Sequence, residues 1–236
     1  MKRFPLLPAV LLFASAAFAA DPAPAAPEYF DAARFDWHAV VPPPPVPGST
    51  TAEAEREVAL MLDHQRSAAQ VALAKRYEKY DCFLFLTDVL GRPCTPEALP
   101  RTAAIMQQVW VECRPPVDAA KAAWNRPRPY IDNPALNPVV DKPNNASYPS
   151  GHAFGSSLLA VVLTAAFPEH AADWQQEAQL VRWSRLLGGA HYPSDVLAGR
   201  LLGEAVAREL LRSPRMQAAI EEIRAELRAH RLKKAA

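Results

Sequence analysis

Three short clusters hold the residues whose types and spacing could do chemistry. The first is Lys121-Ala-Ala-Trp-Asn-Arg-Pro-Arg128-Pro129. Val117, Lys121 and Trp124 share one face at helical spacing, so the lysine sits in an apolar stripe that holds its ammonium in place. Arg126 and Arg128 each precede a proline, which biases both to extended backbone. Lys121 and Arg128 are then two cations on a stiff frame, suited to an oxyanion. The same residues also fit a solvated basic patch. The second cluster is Tyr148-Pro149-Ser150-Gly151-His152, ahead of an apolar run to Phe167. Ser150 stands where a helix N-cap belongs, and the free N–H groups of the turn that follows form a ready anion site. The plainer reading is that Ser150 only caps and His152 is structural. The third is Ser184-Arg185 followed by His191-Tyr-Pro-Ser-Asp195. Gly188-Gly189 closes one helix and Pro193 opens the next, placing His191 in the turn between them. Asp195, in the first turn, either complements the helix dipole or orients the imidazole of His191.

Together the clusters supply three cations, a helix N-terminus and two histidines, the makings of a site for a tetrahedral dianion. A neutral His191 can attack phosphorus while a protonated His152 delivers a proton to the leaving oxygen. Arg128 and Arg185 offer bidentate contacts to phosphate oxygens, and fixed cations can stabilise equatorial oxygens without a metal. No His, Asp or Glu spacing calls for a metal or another cofactor.

These residues need elements to hold them. Helices are expected from about Ser49 to Lys79, Pro100 to Val111 and Val117 to Asn125, then over 151–166, 169–188, 193–211 and 214–230. Phe83 to Leu90 is an apolar stretch stopped by Gly91-Arg92-Pro93. The proline- and asparagine-rich segment 127–149 reads as a long functional loop, with Asn145-Ala-Ser147 as ordinary loop composition. No alternating strand pattern and no internal repeat occurs, so the fold class is all-α.

The 236 residues suit one compact domain. Residues 1–19 read as a signal peptide: Lys2 and Arg3, an apolar run from Leu6 to Phe18, and Ala17-Phe18-Ala19 before the cut. That run is shorter than the ~20 residues a spanning helix needs, and no later segment reaches that length. The expectation is a periplasmic or secreted protein with no stable membrane insertion after signal removal. Residues 20–50 form a proline-rich N-terminal arm whose Tyr29, Phe30, Phe35 and Trp37 suggest packing on the body, and 51–236 form the helical domain. With a formal charge of +1 and no basic stripe, the chain is a poor candidate for general nucleic-acid binding. Of the three cysteines, Cys82 and Cys94 are the nearest pair in sequence and the first candidates for a disulfide.

The order K-x6-R-P, P-S-G-H, S-R-x5-H-x3-D resembles the signature of the type 2 phosphatidic acid phosphatase and vanadium haloperoxidase superfamily. It is carried by Lys121, Arg128 and Pro129; Pro149, Ser150, Gly151 and His152; and Ser184, Arg185, His191 and Asp195. Within that superfamily the chain resembles the bacterial class A nonspecific acid phosphatases, through the Pro42-to-Pro45 run, Asp88-Val-Leu-Gly91 and Leu99-Pro100. The resemblance covers about residues 38–210. It implies a helical, metal-independent phosphomonoesterase of broad range, with small phosphate monoesters as partners and a homo-oligomer left open. It makes His191 the phosphohistidine, Asp195 its orienting partner and His152 the acid. Lys121, Arg128, Ser150, Gly151 and Arg185 become the phosphate ligands. Tyr130 stands where the class often has phenylalanine and Ala153 where threonine is common, which bears on substrate preference. Three rivals share much of the chemistry: a soluble lipid-head-group phosphatase or phosphotransferase, a haloperoxidase holding vanadate, and a phosphate-binding protein without turnover.

Overall fold

A computed structural model describes residues 26–233; the signal-peptide reading and the start of the arm lie outside the described residues. The described chain is helical throughout, with no strand among its elements. The helices are α1 (Thr50–Gln65), α2 (Ala68–Arg76), α3 (Cys82–Leu90), α4 (Pro100–Cys113), α5 (Pro115–Trp124), α6 (Pro129–Asp132), α7 (Gly151–Ala166), α8 (Ala171–Leu187), α9 (Pro193–Leu210) and α10 (Pro214–Lys233).

Helix α7 is the hub, because it is apolar or small around most of its circumference and is buried accordingly. It packs along α8 and α9. The α7–α9 crossing is close enough to bring backbones together. A Cβ on Gly199 would collide with the carbonyl oxygen of Ser150, and one on Gly203 with that of Phe154. These glycines are four apart and so lie on one face. Their bare backbone lets the N-terminal turns of α7 and α9 lie side by side.

The single long helix expected from Ser49 to Lys79 is two helices. Arg66 is extended (φ −62°, ψ 130°), and Ser67 starts α2 with a capping box shared with Gln70. Arg66 pairs with Asp63 at 2.9 Å and donates to the carbonyls of Asn137 and Leu187, which fixes the break against the loop beside His191. The 127–149 segment contains one short helix, α6, with Pro129 at its first position.

The arm packs on the body as its aromatics suggested. Tyr29, Phe30 and Trp37 are buried. The Glu112 carboxylate accepts the backbone N–H groups of Glu28, Tyr29 and Phe30 at 2.7, 2.8 and 2.9 Å. Farther along, Tyr148 donates its hydroxyl to the Pro42 carbonyl at 2.5 Å, tying the arm to the residue two before Ser150. At the other terminus α10 buries Met216, Ile223 and Leu227, and its Glu226 accepts N–H groups of Arg101 and Thr102 to cap α4.

The expected Cys82–Cys94 bridge is not formed. Cys82, Cys94 and Cys113 are buried thiols, and burial pushes Cys82 up to about 12. Sequence proximity placed the pair, but it carries no information on whether two Cβ vectors converge.

Candidate active site

The three clusters meet at one end of α7. A cavity of about 770 Å³ has Lys121, Arg128, Gly151, His152 and His191 in its wall. Each arrives on a different piece of local structure. Lys121 comes from α5, which Asn125 ends in the left-handed conformation (φ 40°) that asparagine tolerates. Arg128 follows on extended backbone just before Pro129. Gly151 and His152 open α7, and His191 lies in the turn between α8 and α9.

His191 is 4% exposed and its two ring nitrogens have different surroundings. Nε2 lies 3.2 Å from an Arg128 Nη1. A guanidinium only donates, so Nε2 is the acceptor and carries no proton. The proton is then on Nδ1, which faces the Ser147 hydroxyl at 3.3 Å and Asp195 Oδ2 at 3.4 Å. Ser147 donates its own proton to that same Oδ2 at 2.5 Å, leaving its oxygen free to accept Nδ1–H. Asp195 therefore orients His191 partly through Ser147, and also accepts the Tyr192 N–H at 2.8 Å.

His152 is turned the other way. Its Nε2 donates to the Glu78 carbonyl at 3.0 Å, while its own carbonyl accepts the Tyr80 hydroxyl at 3.0 Å. A mobile proton on this ring would consequently ride on Nδ1.

The cations are buried. Lys121 Nζ donates to the carbonyls of Ala146 and Ser147 at 2.6 and 3.4 Å. Arg128 Nε and Nη2 grip the Asn145 carbonyl and side-chain oxygen at 2.9 and 2.6 Å, and Nη1 also reaches the Ala190 carbonyl at 3.0 Å. Arg185 is 2% exposed, and its Nε and Nη1 find no hydrogen-bond partner among the described residues. Ser150 is fully buried: its hydroxyl accepts from Ala153 N–H at 3.3 Å, and its N–H donates to the Asp195 carbonyl at 2.8 Å.

Burial, joined for most of them by crowded positive charge, depresses Lys121, Arg128, His152, Arg185 and His191. Burial and then Arg128 bring Lys121 down to about 7, with Asp195 opposing. Burial and Arg128 lower Arg185 to about 10. Burial and then Arg185 lower His152 to about 3. His191 is held well below the usual imidazole range by burial, then by Arg128, Lys121 and Arg185. Burial raises Asp195, against the pull of Arg126 and its other donors. The site thus holds two neutral imidazoles among three buried cations.

All eight expected site residues lie in this region: five in the cavity wall, Asp195 behind His191, Ser150 at the N-cap and Arg185 buried beside them. Four contributors escaped the sequence reading. Asn145 and Ser147, there taken as loop composition, clamp Arg128 and hold Asp195. Arg126, given no task beyond its place before a proline, binds Asp195 Oδ1 at 2.7 Å, and Glu55 of α1 binds Arg126 at 2.8 Å. The position of Ser147 just ahead of the Pro149–His152 motif was a usable signal; Glu55 had none, because its partner is 71 residues away.

The PAP2 superfamily pattern matches residues 102–218. A non-specific acid phosphatase of Salmonella typhimurium is 35% identical over 113 residues, 46% of this chain and 45% of that one. An acid phosphatase of Zymomonas mobilis is 29% identical over 180 residues, 70% of this chain and 66% of that one. The match spans about half to two thirds of the length of these relatives. A bacterial vanadium-dependent iodoperoxidase superposes with a TM-score of 0.53 at 18% identity, over 73% of this chain and 52% of that one, a likeness of fold. Both histidines and all three cations fall inside the matched span, and residues 102–218 of this chain form a PAP2 superfamily domain.

Proposed function

We propose that the protein is a metal-independent acid phosphatase that hydrolyses a broad range of phosphate monoesters through a phosphohistidine. The observation that carries the reading is the Arg185 guanidinium, buried with two donor nitrogens unpartnered in the same site as a histidine whose Nε2 is unprotonated. A buried cation without a partner is costly, and a bound dianion removes that cost.

The chemistry balances with the residues present. The Nε2 lone pair of His191 attacks phosphorus as the ester P–O bond breaks, and the departing oxygen takes the Nδ1 proton of His152. Water then attacks the phosphohistidine, gives its proton to His152, and the P–N electron pair returns to His191. Lys121, Arg128, Arg185 and the first N–H groups of α7 neutralise the equatorial oxygens. His152 is neutral in the empty site, so the catalytic proton enters with a substrate monoanion or is drawn on by a bound dianion. Phosphate monoesters lose their second proton near pH ~6, which favours mildly acid conditions. The basic start and apolar run of residues 1–19 support export to the periplasm or beyond.

One observation favours a narrower reading. Part of the cavity wall is apolar, formed by Phe83, Met106, Trp110, Val117, Leu158 and Leu159, beside polar residues such as Glu78, Asp81, Gln107 and Asp118. A phosphate ester with an apolar alcohol, such as a lipid head-group phosphate, would bury that alcohol there. A higher kcat/KM for a long-chain alkyl phosphate than for a short one would support this version, and equal values would remove it.

The test is hydrolysis of p-nitrophenyl phosphate at acid pH with excess EDTA. Turnover is expected in the parent and absent in His191→Ala. His152→Ala should accumulate a phosphoenzyme, seen by intact mass on acid-sparing quench. Activity that vanishes with EDTA and returns with a divalent metal overturns the mechanism.

A further inference from the structure

We propose that Arg126, seated on Glu55, is a positioning residue that sets the charge and aim of Asp195 and through it the orientation of His191. This rests on the reading of His191 as the nucleophile.

The geometry is specific. One guanidinium nitrogen of Arg126 donates to Asp195 Oδ1 at 2.7 Å and to the Ser194 hydroxyl at 2.8 Å. The other donates to Glu55 Oε2 at 2.8 Å. The guanidinium lies over the Tyr192 ring, its carbon 4.2 Å from the centroid. Glu55 also accepts from the Ser194 N–H at 2.5 Å and hydroxyl at 2.9 Å, so α1 caps α9 while it holds the arginine. The side chains of Glu55, Arg126 and Asp195 are 8, 11 and 0% exposed.

This division of the carboxylate has a chemical consequence. Arg126 occupies Oδ1, which leaves Oδ2 to Ser147, the Tyr192 N–H and His191 Nδ1. Burial alone drives Asp195 toward its neutral form, and Arg126 is the strongest influence against it. The other charged or titratable groups facing Asp195 are Lys121, Arg128, His191 and Tyr148. None of these donates to Oδ1. A neutral Asp195 would accept Nδ1–H more weakly and stabilise positive charge on the ring less, leaving Arg128 alone to hold His191 in place. Arg126 directs its guanidinium donors to Asp195, Ser194 and Glu55, so it acts on the nucleophile and not on bound phosphate.

The two charges around Asp195 make opposite predictions. Arg126→Gln removes a cation, so the acid limb of kcat/KM should move to higher pH and kcat should fall about 100-fold, with KM little changed. Glu55→Gln removes an anion, so the acid limb should move to lower pH. Arg126→Lys should recover part of kcat. The measurement is the pH profile of p-nitrophenyl phosphate hydrolysis by the full chain, with Kd for inorganic phosphate as the binding control. A merely structural role shifts neither limb in a charge-dependent direction. Parent-like kcat and profile in Arg126→Gln, or limbs that move the same way in both glutamine variants, overturn the proposal. If Arg126→Gln does not fold, an unshifted limb in Glu55→Gln does so alone. An inactive parent is a different result, which removes the phosphatase reading itself.

Discussion

Arg185 and Arg128 show how one residue type serves two ends in one site. Arg128 spends four of its five N–H donors on Asn145, Ala190 and His191, so it is held in place before any ligand arrives. Arg185 keeps two donors unspent at 2% exposure. An unsatisfied buried polar group costs roughly 1–3 kcal/mol, more when it is charged. Arg185→Met should therefore stabilise the ligand-free protein by about that amount while abolishing the rise in Tm caused by phosphate. Thermal unfolding with and without phosphate reads both effects. A variant less stable than the parent would mean that the guanidinium has a structural partner.

At the scale of elements, the site depends on two N-termini held side by side. Ser150 N–H donates to the Asp195 carbonyl at 2.8 Å, so the first turn of α7 is bonded to the first turn of α9. Gly199 makes that approach sterically allowed, since any Cβ there meets the Ser150 carbonyl. Gly199→Ala should push α9 away from α7. Overpacking of this kind costs about 1–3 kcal/mol, and displacement of Asp195 from His191 should lower kcat up to about 100-fold. Urea unfolding and steady-state kinetics on the same preparation check both. A fully active variant would show that the α7–α9 spacing is not what aligns Asp195.

For the whole molecule, the neutral imidazoles couple the site to stability. An unfolded histidine takes up a proton below pH ~6.5. Folded, His152 stays neutral down to about 3 and His191 is also lowered. The unfolded chain then binds more protons, so the ligand-free protein should lose stability as pH falls below about 6.5. A bound dianion favours the protonated rings and the charged Lys121, which is lowered to about 7 in the empty site. Stabilisation by sulfate, a dianion at all these pH values, should thus be larger at pH 5 than at pH 8. Melting curves at the two pH values decide this; equal shifts would place the anion away from Lys121 and His152. The docked arm and α10 belong to the same scale. They bury aromatic and aliphatic surface and bind α4 through Glu112 and Glu226, and so brace the frame from behind.

The amino-acid sequence by itself determined what is local. Residue type and spacing along single helices marked α4, α5 and α7 to α10, and with them Lys121, Arg128, His152, Arg185, His191 and Asp195. Caps, prolines and apolar periodicity act within a few residues and are legible there. The break at Arg66 was less legible, because the apolar face continues across it while the arginine is fixed by carbonyls of a distant loop. Only the tertiary structure decided the rest: that Arg126 is the partner of Asp195, that Glu55 from α1 reaches it, that Ser147 lies between His191 and Asp195, and that Cys82 and Cys94 remain thiols. Each depends on where a side chain from one element meets one from another across long stretches of chain. Packing sets that distance, and no local pattern encodes it.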